Sequence, residues 1–192
     1  MYPVKTFAMK NIFTLTVSTL IITFFTMSGK AQISVQSSKI TIEIKTINQN
    51  NVAINGTAKE AEAQIDPMQN KSIITLDPTS IQSDNVEFDK AIEAAGFDAF
   101  VLEVKIDPLE LNYSSKKKEP IYAQCKAVIN GISGTVPITL TSATHMTNET
   151  HTYLVTGNGK ISLSDFNLTE PLPMLKDDIK FRFTQNIIAE FR

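Results

Sequence analysis

The residues best able to do chemistry are one cysteine and two histidines. Cys125 lies in IYAQCKAVIN, and His145 and His151 flank the turn-like stretch MTNET. A Cys–His pair would offer a thiolate nucleophile, and two histidines with a third ligand would offer a metal site. Neither reading survives the context. Cys125 falls on the apolar side of an alternating run, where a thiol packs as a small hydrophobe and stays inert. The two histidines could face each other across a hairpin, but a third ligand is missing near them, so they read as exposed loop residues. Asp177-Asp178 and Glu60/Glu62 read as solvated charges rather than as an acid–base pair. No Gly-rich phosphate cradle occurs, and Lys116 to Lys118 read as a solvated hairpin tip, with at most a weak contact to lipid headgroups. The expectation is a protein without catalytic residues, metal or cofactor.

The elements that must position these residues belong to a chain of 192 residues, 42% hydrophobic and 20% charged, which suits one globular domain. With 18 basic and 20 acidic residues it has no positive surplus for a nucleic-acid backbone. One cysteine excludes an intramolecular disulfide framework and a multi-thiolate metal site. The uncharged run Ile12 to Met27 follows Lys5 and Lys10 and is followed by Ser28, Gly29 and Ala31. That is the layout of a secretory signal peptide, expected to be cleaved after Ala31, with Met9 as an alternative start. As a helix, its 16 residues would span about 24 Å, short of the ~30 Å hydrocarbon core, so stable membrane insertion is not expected after cleavage. No cysteine stands near the cleavage point to carry a lipid anchor. The mature chain, 32–192, would hold 15 basic and 20 acidic residues, net −5, and would act in the periplasm or outside the cell. Five Asn-x-Ser/Thr sequons begin at Asn55, Asn70, Asn112, Asn148 and Asn167, and are read as incidental to an Asn/Thr-rich surface.

Beyond Ala31 the apolar residues recur with period two, the mark of half-buried strands. Ile40, Ile42 and Ile44 alternate with polar residues, as do Leu102, Val104 and Ile106. Ile121, Ala123, Cys125, Ala127 and Ile129 share one face, Asn130-Gly131 predicts a hairpin turn, and Val136, Ile138 and Leu140 return. Ile179, Phe181 and Phe183 mark the last long strand, and weaker strands are expected over 52–57, 72–76, 152–156 and 160–165. Phe88, Ile92 and Ala95 instead follow helical spacing, so one short helix is predicted between Asp84 and Ala95, ended by Gly96. About eight antiparallel strands can close into a barrel that holds one small ligand or fills itself with side chains. The all-β expectation is therefore a single antiparallel barrel over residues 32–192. Two copies could pair as a homodimer, though no residue marks the interface.

Four segments in order carry a further signal. VAINGTAKEAEAQIDP holds Gly56 and Thr57 in an early strand; SIITLDPTSIQSDN precedes FDKAI and GFDA; KAVINGISGTVPITL forms the hairpin; and KISLSDFNL with DDIKFRF closes the chain. Together these segments resemble the YceI-like family of exported, lipocalin-like barrels that bind polyisoprenoid lipids. The chain departs from that family in having no Arg or His in Val86 to Ile92 and no His at the hairpin turn. The resemblance implies a non-catalytic carrier for a long apolar lipid, an isoprenoid or quinone-like molecule, held on the inward faces. The candidate lining residues are Ile42, Ile44, Leu102, Val104, Cys125, Ala127, Ile138, Leu140, Phe181 and Phe183. The small side chains Ala123, Cys125 and Ala127 either make room for bulky neighbours or leave space for a ligand. The alternative is a structural or stress-response interaction module whose barrel is self-filled. An enzyme is the least favoured reading. A large continuous cavity would favour the carrier, and a packed interior the self-filled module.

Overall fold

The computed structural model describes residues 38–66, 69–146, 150–176 and 178–190, so the expected signal segment at 1–31 lies outside the described residues. Where apolar and polar residues alternate, the chain is strand: β1 (Ser38–Ile47), β2 (Ala53–Asp66), β3 (Lys71–Leu76), β4 (Ile81–Ser83), β5 (Phe100–Lys105), β6 (Ile121–Ile129), β7 (Ile132–Met146), β8 (Thr150–Ile161) and β9 (Ile179–Glu190). Hydrogen bonding runs in the order β1-β9-β8-β7-β6-β5-β3-β2, and β2 pairs back with β1. All pairings are antiparallel, so eight strands close a barrel and leave no free edge around the ring. The three-residue β4 extends the line of β3, since β3 pairs with Ala61–Asp66 and β4 with Gly56–Ala58.

β2 runs nine residues past the expected end at Thr57. Its alternation slips at Lys59-Glu60, both exposed, so that Ala58 and Ala61 both face inward. The same slip shifts the β1–β2 register between Ile40 and Ile42, which is a bulge. An Ala/Glu-rich stretch with a broken period does not look like a strand, and this one is held there by its neighbours. The turn at Asn130 (φ 52°) and Gly131 (φ 72°) joins Ile129 to its partner Ile132 as the two-residue hairpin predicted.

The expected helix is α1 (Val86–Ala95). Asn85 caps it by accepting from the Phe88 amide at 2.9 Å, and Gly96, at φ 59°, ends it. A second helix corrects the reading of Lys116 to Lys118 as a hairpin tip. α2 (Pro108–Lys117) starts on a proline, carries Glu110 in its first turn and ends on Lys116 and Lys117, with Lys118 at φ 57°. Leu111 is buried in it; with so few apolar residues, α2 shows no period in sequence. The expected strands 152–156 and 160–165 are one strand, β8, which stops at Ile161.

α1 and the turn-rich segment from Leu163 to Leu175 cover one end of the barrel. α2 packs at the other end against β7, where the Ser142 hydroxyl donates to the Leu111 carbonyl. The inward faces of all strands merge into one core.

Candidate functional site

Inside the barrel, at the α1 end, lies a void with an apolar lining and no polar surface. β1 contributes Ile42 and Ile44, β3 Ile74 and Leu76, and β5 Phe100 and Leu102. Ile129, Ile161, Ile179 and Phe181 line it at the ends of β6, β8 and β9, and Ile81 comes from β4. Its lid is Phe88 and Ile92 of α1 together with Leu168 and Leu172. The void is only about 30 Å³. The lumen is slender and closed.

All ten residues expected to line a pocket are buried. Four of them, Ile42, Ile44, Leu102 and Phe181, border the void; Val104, Cys125, Ala127, Ile138, Leu140 and Phe183 are core residues outside its lining. On β6 the expected inward face holds fully only from Cys125 onward, because Ile121 and Ala123 are half-buried. The lid residues were not anticipated. Phe88 and Ile92 show helical spacing, but nothing in sequence says that the buried face of α1 closes a barrel end.

Glycines on neighbouring strands seat the large aromatics. A Cβ at Gly157 would lie 2.3 Å from the Phe183 ring, and one at Gly159 would lie 2.5 Å from the Phe181 ring. Each glycine is the cross-strand partner of the phenylalanine that covers it. Gly134 likewise receives Phe166, with a Cβ position 2.9 Å from the ring. Room for Phe181 and Phe183 therefore comes from β8 glycines.

Burial pushes the Cys125 thiol up to about 12, with the Glu103 carboxylate adding to the effect. The thiol should stay unreacted in native protein at pH 8 and take up one equivalent of a thiol reagent once unfolded. Native labelling at the rate of an exposed thiol would place Cys125 outside the core. The strand register pairs His145 with Thr152 and Met146 with His151, so the two histidines are not cross-strand partners as expected. Among the described residues, no group of three or more His, Cys, Asp or Glu could hold a metal ion.

A larger groove, about 520 Å³, lies on the outer face of β1, β9, β8 and β7. It is too polar for an apolar chain: Lys45 stands opposite Lys180, Lys180 opposite Lys160, and Glu43 opposite Arg182. Lys160 pairs with Asp178 at 2.8 Å, and its hydrogen bond holds that carboxyl below the usual range.

The sequence profile of the YceI-like domain matches residues 31–187. No curated protein sequence matches the chain. A polyisoprenoid binding domain from Saccharophagus degradans, implicated in plant cell wall breakdown, superposes with a TM-score of 0.59 at 10% identity, covering 84% of this chain and 100% of that one. BcnA of Burkholderia cenocepacia gives a TM-score of 0.49 at 19% identity, covering 77% and 96% of the two chains. The Campylobacter jejuni YCEI protein gives 0.48 at 19% identity, covering 71% and 84%.

Proposed function

The chain belongs to the YceI-like domain family, and on that premise we propose that it is a non-catalytic carrier that holds a long apolar lipid, of the isoprenoid or quinone-like class, inside its barrel. The observation that carries this reading is the lining of the void, which presents no polar atom from β1 round to α1. Such a surface suits a ligand that asks for shape and burial, at about 25 cal/mol per Å² removed from water. The similarity to a domain described as polyisoprenoid binding points the same way. Uptake requires the lid of Phe88, Ile92, Leu168 and Leu172 to move, since the closed void is too narrow for a chain. After signal cleavage the carrier acts in the periplasm or outside the cell, where an apolar chain needs an escort through water. N-terminal sequencing of exported protein should begin near Gln32.

The narrowness of the void favours a second reading, a self-filled barrel acting as a structural or stress-response module. Native mass spectrometry with lipid extraction of the purified exported protein separates the two. The carrier should release an isoprenoid or quinone-like species. If none co-purifies, uptake of added isoprenoid decides, with Leu102→Trp as the control because Leu102 borders the void. In a carrier the indole blocks uptake. A self-filled barrel has no uptake to lose, and the overpacked core only loses roughly 1–3 kcal/mol.

A further inference from the structure

One polar contact crosses the barrel interior beyond the apolar void. Ser72 on β3 donates its hydroxyl to Oε1 of Gln185 on β9 at 3.0 Å. In the barrel wall those strands are separated by β2 and β1, about 14 Å around the ring at the usual strand spacing. The two side chains therefore meet through the interior. Both are buried, Ser72 at 0% and Gln185 at 1% exposure. The Nε2 of the same Gln185 amide has no acceptor among the described residues. Buried donors are ordinarily paired. The strand partners of the two residues, Ile65, Val104 and Val155, are apolar, so they offer no side-chain acceptor.

The position matters as much as the donor. Ser72 precedes the void-lining Ile74 by one pleat on the same face of β3, about 7 Å toward the α2 end. Gln185 lies two pleats beyond the void-lining Phe181 on β9. An apolar chain entering past α1 and running down the barrel axis would meet the Gln185 amide with its leading end. Among the described residues, Thr46, Ser72, Ser114, Gln185 and the phenol of Tyr153 are buried polar side chains, and none is charged at neutral pH. A phosphate or carboxylate would be stripped of water there without a counter-charge. A neutral oxygen gives up far less hydration and regains one hydrogen bond from the Nε2.

We infer that the lumen selects an apolar chain whose leading end carries an uncharged oxygen acceptor, such as a ketone, ester or ether, seated on the Nε2 of Gln185. This rests on the carrier reading and narrows its ligand class. The probes are geranylgeranylacetone, an isoprenoid chain ending in a ketone, and an isoprenoid hydrocarbon of matched length. Each is titrated against the full exported protein by native mass spectrometry. The ketone should bind about tenfold more tightly or better, the worth of one buried hydrogen bond. Gln185→Met should abolish that preference, so that ketone and hydrocarbon bind the variant equally well. A carbon-13 label on the ketone supplies a readout that needs no variant: the carbonyl stretch of the bound probe should lie below its value in hexane. Equal affinities with an unshifted carbonyl, or a preference that persists in Gln185→Met, overturns the inference and leaves the carrier standing. Failure of both probes to bind overturns the carrier reading, and the inference with it.

Discussion

Phe183→Ala should remove about 3–5 kcal/mol of stability, a large part of the 5–15 kcal/mol expected for a domain of this size. Phe183 is fully buried and its ring lies across Gly157 on β8, close enough that a Cβ there would sit 2.3 Å from it and 3.1 Å from the Leu140 side chain. Truncation leaves a cavity that a closed ring of strands collapses poorly. The same contact makes a sharper claim about sign. Gly157→Ala alone drives a methyl group into the ring and should cost about 1–3 kcal/mol. Once Phe183 has become alanine, the methyl group has room, and Gly157→Ala should instead stabilise by about 0.4–1 kcal/mol by restricting the unfolded chain. Chemical denaturation of the two single variants and the double variant gives the cycle. Simple additivity would mean that the ring does not depend on the glycine.

That pairing also marks a limit of reading the sequence. Alternation placed Phe181 and Phe183 inward, and Asn130-Gly131 predicted its hairpin, because both signals are local. Which inward residue meets which depends on the stagger of strands around the ring. Gly157 and Gly159 look like turn residues in TGNGK, yet they lie inside β8 because Phe183 and Phe181 stand opposite and need the space. Stagger also explains why Leu102 borders the void and Val104, one pleat farther along β5, does not. The lid was less legible still. Leu168 and Leu172 sit in turns held by local backbone bonds, Leu168 to Leu163 at 2.8 Å and Leu172 to Leu168 at 3.0 Å, and such turns carry no hydrophobic period. The Ser72–Gln185 contact joins residues 113 apart in sequence, with no local pattern to announce it.

Phe88→Ala should have an effect of similar size and should decide how the lumen responds to opening. Phe88 is 1% exposed, borders the void, and hangs from a helix start fixed by the Asn85 cap. Removing its ring costs about 3–5 kcal/mol in the empty protein. At roughly 2–4 °C per kcal/mol, the melting temperature should fall by on the order of 10 °C. The vacated space joins a lining with no polar surface, and apolar cavities of that kind stay dry and take up small apolar molecules. If α1 is the movable lid of a carrier, an isoprenoid hydrocarbon should restore much of the loss, about 2.7 kcal/mol when present at a hundred times its dissociation constant. It should also raise the melting temperature of the variant more than that of the wild type, because the wild type must first displace its own phenyl ring. In a self-filled barrel the surrounding Ile and Leu side chains relax into the space instead. The variant then melts lower, and no apolar molecule recovers it.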